Sequence, residues 1–218
     1  MSLTLYAHPF SSYSQKVLIA LYENATAFEW RVLDGSPEVT REWATLWPMA
    51  QMPLLRDGER VVIESTVIIE HLQIHHPGPV RLLPADPAAA LEVRFMDRVF
   101  DQHVMGPMQA IVNDFRRPAE QRHPPTVHEA RNRLEQIYAW LDSRLAGRTW
   151  AVGEDFGLAE CAAAPSLFYA DWVHEIAPAY ERLRSYRTRL LERASFKRAV
   201  EEARPFRGFF PPGAPDRD

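Results

Sequence analysis

The stretch QMPLLRDGERVVIESTVII, residues 51–69, decides the fold of this chain. Two apolar runs flank Asp57-Gly58, which is a strong short-range signal for a β-hairpin. Ser65 precedes an apolar run with helical spacing, so we expect Ser65 to cap the N-terminus of a helix. The stretch therefore predicts a strand, a tight turn, a second strand and a helix.

The same stretch carries groups that can hold the end of a small peptide. A helix N-terminus at Ser65 offers free N–H groups and a partial positive charge for a carboxylate. Pro53, in a cis peptide, would turn the N–H and C=O of Met52 outward, where they can pair with an extended peptide. Glu64 supplies a carboxylate for an ammonium group. Together these groups predict a peptide site, although each alone is also compatible with a structural role.

The order of these features resembles the glutathione-binding half of the glutathione transferase family. That half ends in a Val-Pro pair followed by Glu-Ser-x-x-Ile, and Met52-Pro53 and residues 64–68 match this pattern. The resemblance implies that glutathione is the co-substrate. It also implies that the Met52 backbone, Glu64 and Ser65 hold the peptide, while Pro53 shapes the loop.

The loop before Pro53 departs from the family pattern. Trp47 stands where the family has Asn, and Ala50 stands where it has Gly. We therefore expect an altered loop and a less conventional hold on the glycine end of glutathione. Gln51 matches a position whose side chain often reaches the ligand, and a solvated Gln51 is the alternative.

The remaining residues predict two domains. Strands at 3–7 and 29–33 flank a helix near Gln15, and Ser36-Pro37 opens a second helix that ends near Trp47. With the hairpin and the Ser65 helix, the order is β-α-β-α-β-β-α. This order predicts an α/β thioredoxin-like N-terminal domain at 1–78, followed by a linker at 79–86.

The sequence after the linker reads as an all-α helical C-terminal domain at 87–218. Helices are predicted at 88–115, with a bend or break at Gly106-Pro107, and at 124–145, 177–193 and 195–203. Residues 153–160 resemble the family's G-x-x-F-S-x-A-D capping region, which opens a central helix. Gly157 replaces Ser or Thr there, and Glu160 replaces Asp. The tail at 206–212 is expected to pack back over the surface.

The turn after the first strand is the expected place of the chemistry. Ser-Ser-Tyr-Ser-Gln-Lys-Val, residues 11–17, resembles the S-x-x-x-x-[RK]-V turn of the serine-type classes. The resemblance gives Ser11 the catalytic position, where its hydroxyl would stabilise the glutathione thiolate, which is the nucleophile. Ser12, Tyr6 on the first strand and Tyr13 stay open as alternatives.

Three functions are compatible with these residues. The first is a glutathione transferase that attacks a small hydrophobic electrophile. The second is a glutathione-dependent cis-trans isomerase, because the turn partly resembles the zeta class, with Tyr13 for its Cys and Lys16 for its Arg. The third is a binding or scaffold protein of the same fold without the chemistry.

The resemblance places the second substrate between the domains, against a helical wall. The predicted wall comprises Phe100, His103, Val104, Met108 and Ile111, with Phe168 or Trp172. Apolar stripes at helical spacing pack into a protein core more often than they line a pocket. The resemblance also implies a homodimer.

Composition narrows the range of binding partners and cellular compartments that we expect for this protein. A net charge of −4 and a pI near 6.1 predict no nucleic-acid partner. No apolar run reaches the roughly 18–20 residues of a membrane span, and no secretory signal is visible. Cys161 is the single cysteine, which indicates a reducing cytoplasm. Cys and His show no metal-ligand spacing, so no metal is expected and His75-His76 are interpreted as surface residues.

Overall fold

The structure, a computed structural model, describes residues 3–218. The N-terminal part contains strands β1 (Leu3–Ala7), β2 (Glu29–Val32), β3 (Leu54–Asp57) and β4 (Arg60–Ile63), and helices α1 (Ser12–Glu23), α2 (Pro37–Leu46) and α3 (Ser65–His75). The strands form a sheet in the order β2-β1-β3-β4, in which β2 is parallel to β1 and β3 is antiparallel to both of its neighbours. The predicted thioredoxin-like arrangement is confirmed.

Strand β1 lies inside the sheet, and all of its residues are buried. Leu3, Leu5 and Ala7 belong to the large core shared with α1, α3 and the helical part. Tyr6 belongs to a smaller cluster on the opposite face, together with Trp43 of α2. Because successive side chains of a strand point to opposite faces, β1 divides the N-terminal core into two layers.

The hairpin and the start of α3 are each displaced by one residue from the prediction. Gly58 has φ +60°, and Asp57 pairs with Arg60, so the turn residues are Gly58-Glu59 rather than Asp57-Gly58. Glu64, with φ +68°, occupies the cap position of α3, and Ser65 is the first helical residue. The prediction that Ser65 is the cap is therefore wrong.

The helical part contains α4 (Pro87–Val99), a π-helical segment (Phe100–Met105), α5 (Gly106–Phe115), α6 (Pro124–Arg144), α7 (Leu158–Val173), α8 (Glu181–Glu192) and α9 (Ala194–Ala203), followed by a 3₁₀ turn at Arg204–Phe209. The predicted all-α class of this part is confirmed, although α8 begins later than predicted. Among the helices of residues 3–218, we find none with the length and apolar character that crossing a bilayer requires.

The helix from α4 to α5 continues through Gly106-Pro107 without a break. Pro107 has no N–H to donate, and the segment before it is wound as a π-helix. The N–H of Gly106 accordingly donates to the C=O of Asp101, five residues earlier. The wider turn accommodates the proline, so α4, the π-helical segment and α5 form one continuous helix.

Helix α7 is the centre of the helical part, since all of its residues are buried. Glu160 accepts hydrogen bonds from the N–H of Gly157 at 2.9 Å and of Ala151 at 2.8 Å, and burial raises its pKa to about 7. A Cβ on Gly157 would lie 2.9 Å from the C=O of Leu82. This close approach explains why glycine replaces Ser or Thr at the start of α7.

A buried charge cluster joins α1, α3 and α4. The ammonium of Lys16 on α1 has no solvent exposure and lies 2.5 Å from Asp97 and 2.7 Å from Asp101. It also donates to Thr66 of α3 at 2.9 Å. Arg98 bonds both carboxylates from the partly exposed side. Two cations therefore balance two carboxylates at the junction of the N-terminal and helical parts.

We expect Lys16→Met to lower the free energy of unfolding by about 3–5 kcal/mol, because it leaves two buried carboxylates without their main partner. Denaturant unfolding of the whole chain measures this change. Lys197→Met is the matched control, because Lys197 is exposed on α9, and it should stay within about 0.5 kcal/mol of the wild type. A Lys16→Met loss as small as the control's would contradict the role of the cluster.

Candidate functional site

A cleft of about 680 Å³ lies where the N-termini of α1 and α3, the loop before β3, the α4–α5 face and the C-terminal tail meet. Every predicted glutathione-binding residue lines this cleft, and so do three of the four hydroxyl residues considered for catalysis. These are Ser11, Ser12, Tyr13, Gln51, Met52, Pro53, Glu64 and Ser65. Tyr6 does not line it.

Ser11 is the residue that caps α1. Its side-chain oxygen accepts the N–H of Ser14 at 3.3 Å, and the side chain is half-buried at the cleft. Accepting this bond uses a lone pair of the oxygen, so the hydroxyl proton stays available to a second acceptor. An anion in front of Ser11 would also meet the partial positive charge of the α1 N-terminus.

The other hydroxyl groups are placed differently. Ser12 is buried, and its oxygen accepts a hydrogen bond from Gln109 of α5 at 3.3 Å. Tyr13 is half-buried, and burial, followed by the nearby Asp101 carboxylate, raises the pKa of its phenol to about 12. Ser12 therefore has its oxygen engaged across the cleft, while Tyr13 keeps its proton throughout the neutral range.

Tyr6 points away from the cleft toward α2. Its hydroxyl donates to Glu42 at 2.5 Å, and burial together with this carboxylate raises the pKa of Tyr6 to about 12. The structure therefore gives Tyr6 a structural hydrogen bond between β1 and α2. A substitution at Tyr6 can serve as a control outside the cleft.

The peptide-holding side of the cleft is built by the loop before β3 and by the start of α3. The Met52-Pro53 peptide is cis, and Ala50 has φ +47°, a conformation that glycine adopts more readily. The C=O of Gln51 is engaged by the indole N–H of Trp43 at 3.2 Å, while the Gln51 side chain is exposed. The first-turn N–H groups of α3, beginning at Ser65, have no acceptor within the helix.

Glu64 adopts a backbone conformation that is uncommon for a residue with a side chain. Its φ of +68° lies in the left-handed region, which costs about 1–3 kcal/mol outside glycine. Its side chain is exposed at the cleft rather than bonded to the helix start. Because the side chain makes no capping bond, its carboxylate is available to a cationic group in the cleft.

The opposite wall of the cleft is more polar than predicted. Phe100, Val104 and Ile111 are fully buried in the core, and His103 is exposed but does not line the cleft. Of the apolar stripe expected on α4 and α5, only Met108 reaches the cleft. The polar residues on this wall are Arg98, Asp101, Gln102, Gln109, Asn113 and Arg116.

The sequence carried a signal for this polar wall. Gln102, Gln109, Asn113 and Arg116 recur at spacings of seven, four and three, which place them on one helix face. The predicted wall instead consisted mainly of apolar residues of the same helix, and most of these pack into the core. Periodicity identifies the two faces, but which of them borders a cleft depends on the packing of α4 and α5.

The C-terminal tail lines a further side of the cleft. Phe210 packs against Phe10, Tyr169 and Trp172, with ring centroids 5.2–6.2 Å apart. Phe209 and Phe210 line the cleft, whereas the predicted wall residues Phe168 and Trp172 lie outside its lining. The expectation that the tail packs back over the surface is confirmed.

A further polar group lies outside the cleft. Asp57 accepts hydrogen bonds from His71 at 2.9 Å and from His76 at 2.8 Å. His76 is therefore part of a cluster rather than a simple surface residue. The sequence reading missed this group because its members lie on a hairpin and a helix, with a spacing that matches no known ligand pattern.

Two family profiles match this chain. The profile described as Glutathione S-transferase, N-terminal domain matches residues 5–80, and the profile described as Glutathione S-transferase, C-terminal domain matches residues 124–189. Together they cover more than half of the chain. The chain belongs to the glutathione S-transferase family.

The individual relatives of this chain carry names that differ from one another. The stringent starvation protein A homolog of Coxiella burnetii is 29% identical over 203 residues, which are 92% of each chain. The maleylacetoacetate isomerase of Rattus norvegicus is 30% identical over 175 residues, which are 77% of each chain. The structure of a glutathione S-transferase from Methylobacillus flagellatus with glutathione bound has a TM-score of 0.82 at 26% identity, covering 91% of this chain and 98% of that one.

Proposed function

We propose that this protein is a glutathione transferase in which Ser11 donates a hydrogen bond to the thiolate of bound glutathione. The observation that carries this proposal is the convergence of two helix N-termini on one cleft. Ser11 caps the N-terminus of α1 there, and Ser65 begins α3. Each helix start favours an anion, and glutathione brings both a thiolate and carboxylates.

The proposed pose follows from the lining residues. The first-turn N–H groups of α3 at Ser65 hold the carboxylate of the γ-glutamyl end, and Glu64 or Asp101 accepts its ammonium. The Met52 backbone pairs with the peptide in the loop shaped by Pro53, and Gln51 lies alongside it. The thiol then lies between this loop and the start of α1.

The proposed reaction begins with loss of the thiol proton to solvent. A free thiol has a pKa near 8.5, so lowering it by about one unit or more makes the thiolate abundant at neutral pH. The Ser11 hydroxyl and the α1 N-terminus supply this stabilisation. The sulfur then attacks the electrophile and forms a carbon–sulfur bond, by substitution with loss of a leaving group or by addition.

We expect Ser11→Ala to raise the pKa of the bound glutathione thiol by about one to two units, because one hydrogen bond to a charged group contributes about 1.5–3 kcal/mol and a unit corresponds to 1.36 kcal/mol. The ultraviolet absorbance of the bound glutathione thiolate, recorded against pH, measures this pKa. Ser11→Thr keeps a hydroxyl and should retain the lowered pKa, and Tyr6→Phe, outside the cleft, should leave it unchanged.

The other outcomes of this titration identify the alternatives. A rise in Ser12→Ala instead of Ser11→Ala would assign the donor to Ser12, and a rise in Tyr13→Phe would assign it to Tyr13. Glutathione that binds with an unshifted thiol would indicate peptide recognition without activation. A protein that binds no glutathione would be a scaffold, and the transferase proposal would fail.

The electrophile that fits this cleft is amphipathic rather than purely hydrophobic. Trp47, Phe10 and the tail residues Phe209 and Phe210 offer apolar contact. Arg116, on the polar wall, forms no ion pair within residues 3–218, whereas its neighbour Arg117 pairs with Asp114 at 3.6 Å. An electrophile with an apolar body and a carboxylate would use both sides of the cleft.

The same polar wall supports a second candidate, a glutathione-dependent cis-trans isomerase acting on a carboxylate-bearing cis-enedione. The 30% identity to a maleylacetoacetate isomerase favours it. In this reaction the thiolate adds to the double bond, rotation follows, and the thiolate leaves again. Glutathione is therefore regenerated, in contrast to the transferase reaction.

We expect Arg116→Met to lower kcat/KM for a carboxylate-bearing cis-enedione or chlorodinitrobenzoate by about two- to fivefold, since an exposed ion pair contributes up to about 1 kcal/mol. Activity on uncharged chlorodinitrobenzene should not change. Arg117→Met is the matched control. Equal losses on charged and uncharged substrates would contradict carboxylate recognition, and counting free thiol during turnover separates isomerisation from transfer.

A homodimer is part of the proposal. Val67 and Ile74 on α3 and Leu91 and Phe95 on α4 are exposed apolar residues at helical spacings of seven and four. Two such faces would cover each other in a two-fold dimer. Light scattering should give twice the chain mass for the wild type and a lower mass for Leu91→Glu, while a monomeric wild type would contradict this part.

A further inference from the structure

Strand β3 and helix α3 both begin at the cleft and both end at a cluster of three potential metal ligands. Pro53 precedes β3 at the cleft and Asp57 ends this strand, while Ser65 begins α3 and His76 follows its last residue. At about 1.5 Å per residue, His71 lies roughly 9 Å and His76 roughly 16 Å along α3 from Ser65, and none of the three residues of the cluster lines the cleft. The cluster is therefore distinct from the glutathione site.

The three ligand atoms are already close together. One carboxylate oxygen of Asp57 lies 2.9 Å from Nε2 of His71 and 2.8 Å from Nε2 of His76, and all three atoms lie within 4.8 Å of one another. The exposed fractions are 12% for Asp57, 8% for His71 and 25% for His76. The cluster is therefore shielded on the protein side and open to solvent at His76.

Rigid elements hold each ligand. Asp57 is paired in the sheet with Leu3 of β1 and with Arg60 of β4. His71 is a buried residue of α3, and the N–H of His76 donates to the C=O of Leu72 at 2.8 Å. Ligands placed on paired strands and helix turns require little ordering when an ion binds.

The two histidines bond only one of the two oxygens of the Asp57 carboxylate. The second oxygen of Asp57, Oδ1, is buried, and no donor within residues 3–218 reaches it. Buried carboxylate oxygens are nearly always satisfied by a donor, a water or an ion. A cation that binds the Asp57 carboxylate through both oxygens would contact Oδ1 as well as the oxygen that the histidines bond.

We propose that Asp57, His71 and His76 form a binding site for one divalent transition-metal ion, with Zn²⁺ as the representative ligand. Two imidazole nitrogens and one carboxylate are ligands that suit Zn²⁺, Co²⁺ and Ni²⁺, whereas Mg²⁺ and Ca²⁺ prefer an all-oxygen set. Water completes the coordination from the open side. His75 is not a ligand, because its Nε2 lies 3.5 Å from Arg60 on the exposed side.

Metal binding changes the distances between the ligand atoms by up to about 1.5 Å, because the three atoms now lie within 4.8 Å of one another. Each histidine contacts Asp57 through Nε2, which is the atom that would offer its lone pair to the ion, while Nδ1 would carry the ring proton. Ligands about 2.0–2.1 Å from a tetrahedral ion are separated by roughly 3.3 Å, so the present contacts open by about 0.5 Å. The ion would join the end of β3 to the end of α3.

The test uses the full chain without an affinity tag, stripped with a chelator and titrated with Zn²⁺ and Co²⁺. We expect one ion per chain, visible Co²⁺ absorption typical of low coordination number, and a Tm increase of roughly 5 °C at a hundredfold excess of Zn²⁺ over Kd. Mg²⁺ should produce none of these changes. Glutathione binding provides a separate readout, so this proposal can fail while the transferase proposal holds.

Substitutions of the proposed ligand residues test whether the ion binds at this cluster. His76→Gln and Asp57→Asn should each weaken Zn²⁺ binding by more than about tenfold, as loss of a direct ligand requires. His75→Gln, one position from His76, and His128→Gln on α6 are the matched controls and should bind like the wild type. His76 is partly exposed, so His76→Gln should keep the fold, which its far-ultraviolet circular dichroism checks.

Two results would overturn the proposal. The first is a wild type that binds no Zn²⁺ or Co²⁺ in calorimetry. The second is Zn²⁺ binding and Zn²⁺-dependent stabilisation that are unchanged in His76→Gln and Asp57→Asn, since the ion would then bind elsewhere. The cluster would in either case be a hydrogen-bonded link between the hairpin and α3.

Discussion

The ammonium group of Lys16 lies without solvent access between the carboxylates of Asp97 and Asp101, and donates to the hydroxyl of Thr66. This contact ties α1, which carries Ser11, to α3, which begins at Ser65, and to the helix that forms the far wall of the cleft. A buried charge is tolerated only with its partners in place, so the relative positions of these three helices are constrained together. All three helices contribute residues to the lining of the cleft.

The cleft combines two kinds of surface with different physical origins. On one side, backbone N–H groups at two helix starts create a positive environment that does not depend on side-chain titration. On the other side, a π-helical segment lets one helix continue past Pro107, so polar residues from Gln102 to Arg116 line one wall. In the proposed function, the first surface would bind glutathione and the second would bind an electrophile with a polar group.

Turn residues, capping residues and periodicity predicted which helices and strands form. They did not predict the exact residues at which these elements begin and end. Asp57-Gly58 correctly indicated a hairpin, but Asp57 remains in the strand ladder, where two histidines bond its carboxylate. Ser65 correctly indicated a helix start, but the chain enters α3 through the left-handed conformation of Glu64. Gly157 breaks the expected capping pattern because the backbone of Leu82 leaves no room for a side chain. At Asp57 and Gly157 the departure from the local preference coincides with a tertiary contact.

The sequence by itself determined the class of fold, the family, and the loop and helix starts that line the cleft, because these depend on turn residues, caps and periodicity within short stretches. Only the tertiary structure decided that Tyr6 faces α2, that the polar face of α4 and α5 borders the cleft, and that Asp57, His71 and His76 meet. These outcomes depend on how helices pack across the sheet, and residues that are far apart in the chain carry no local signal of their contact. The burial of Lys16 belongs to the same group, since its two carboxylates lie on a helix more than eighty residues away.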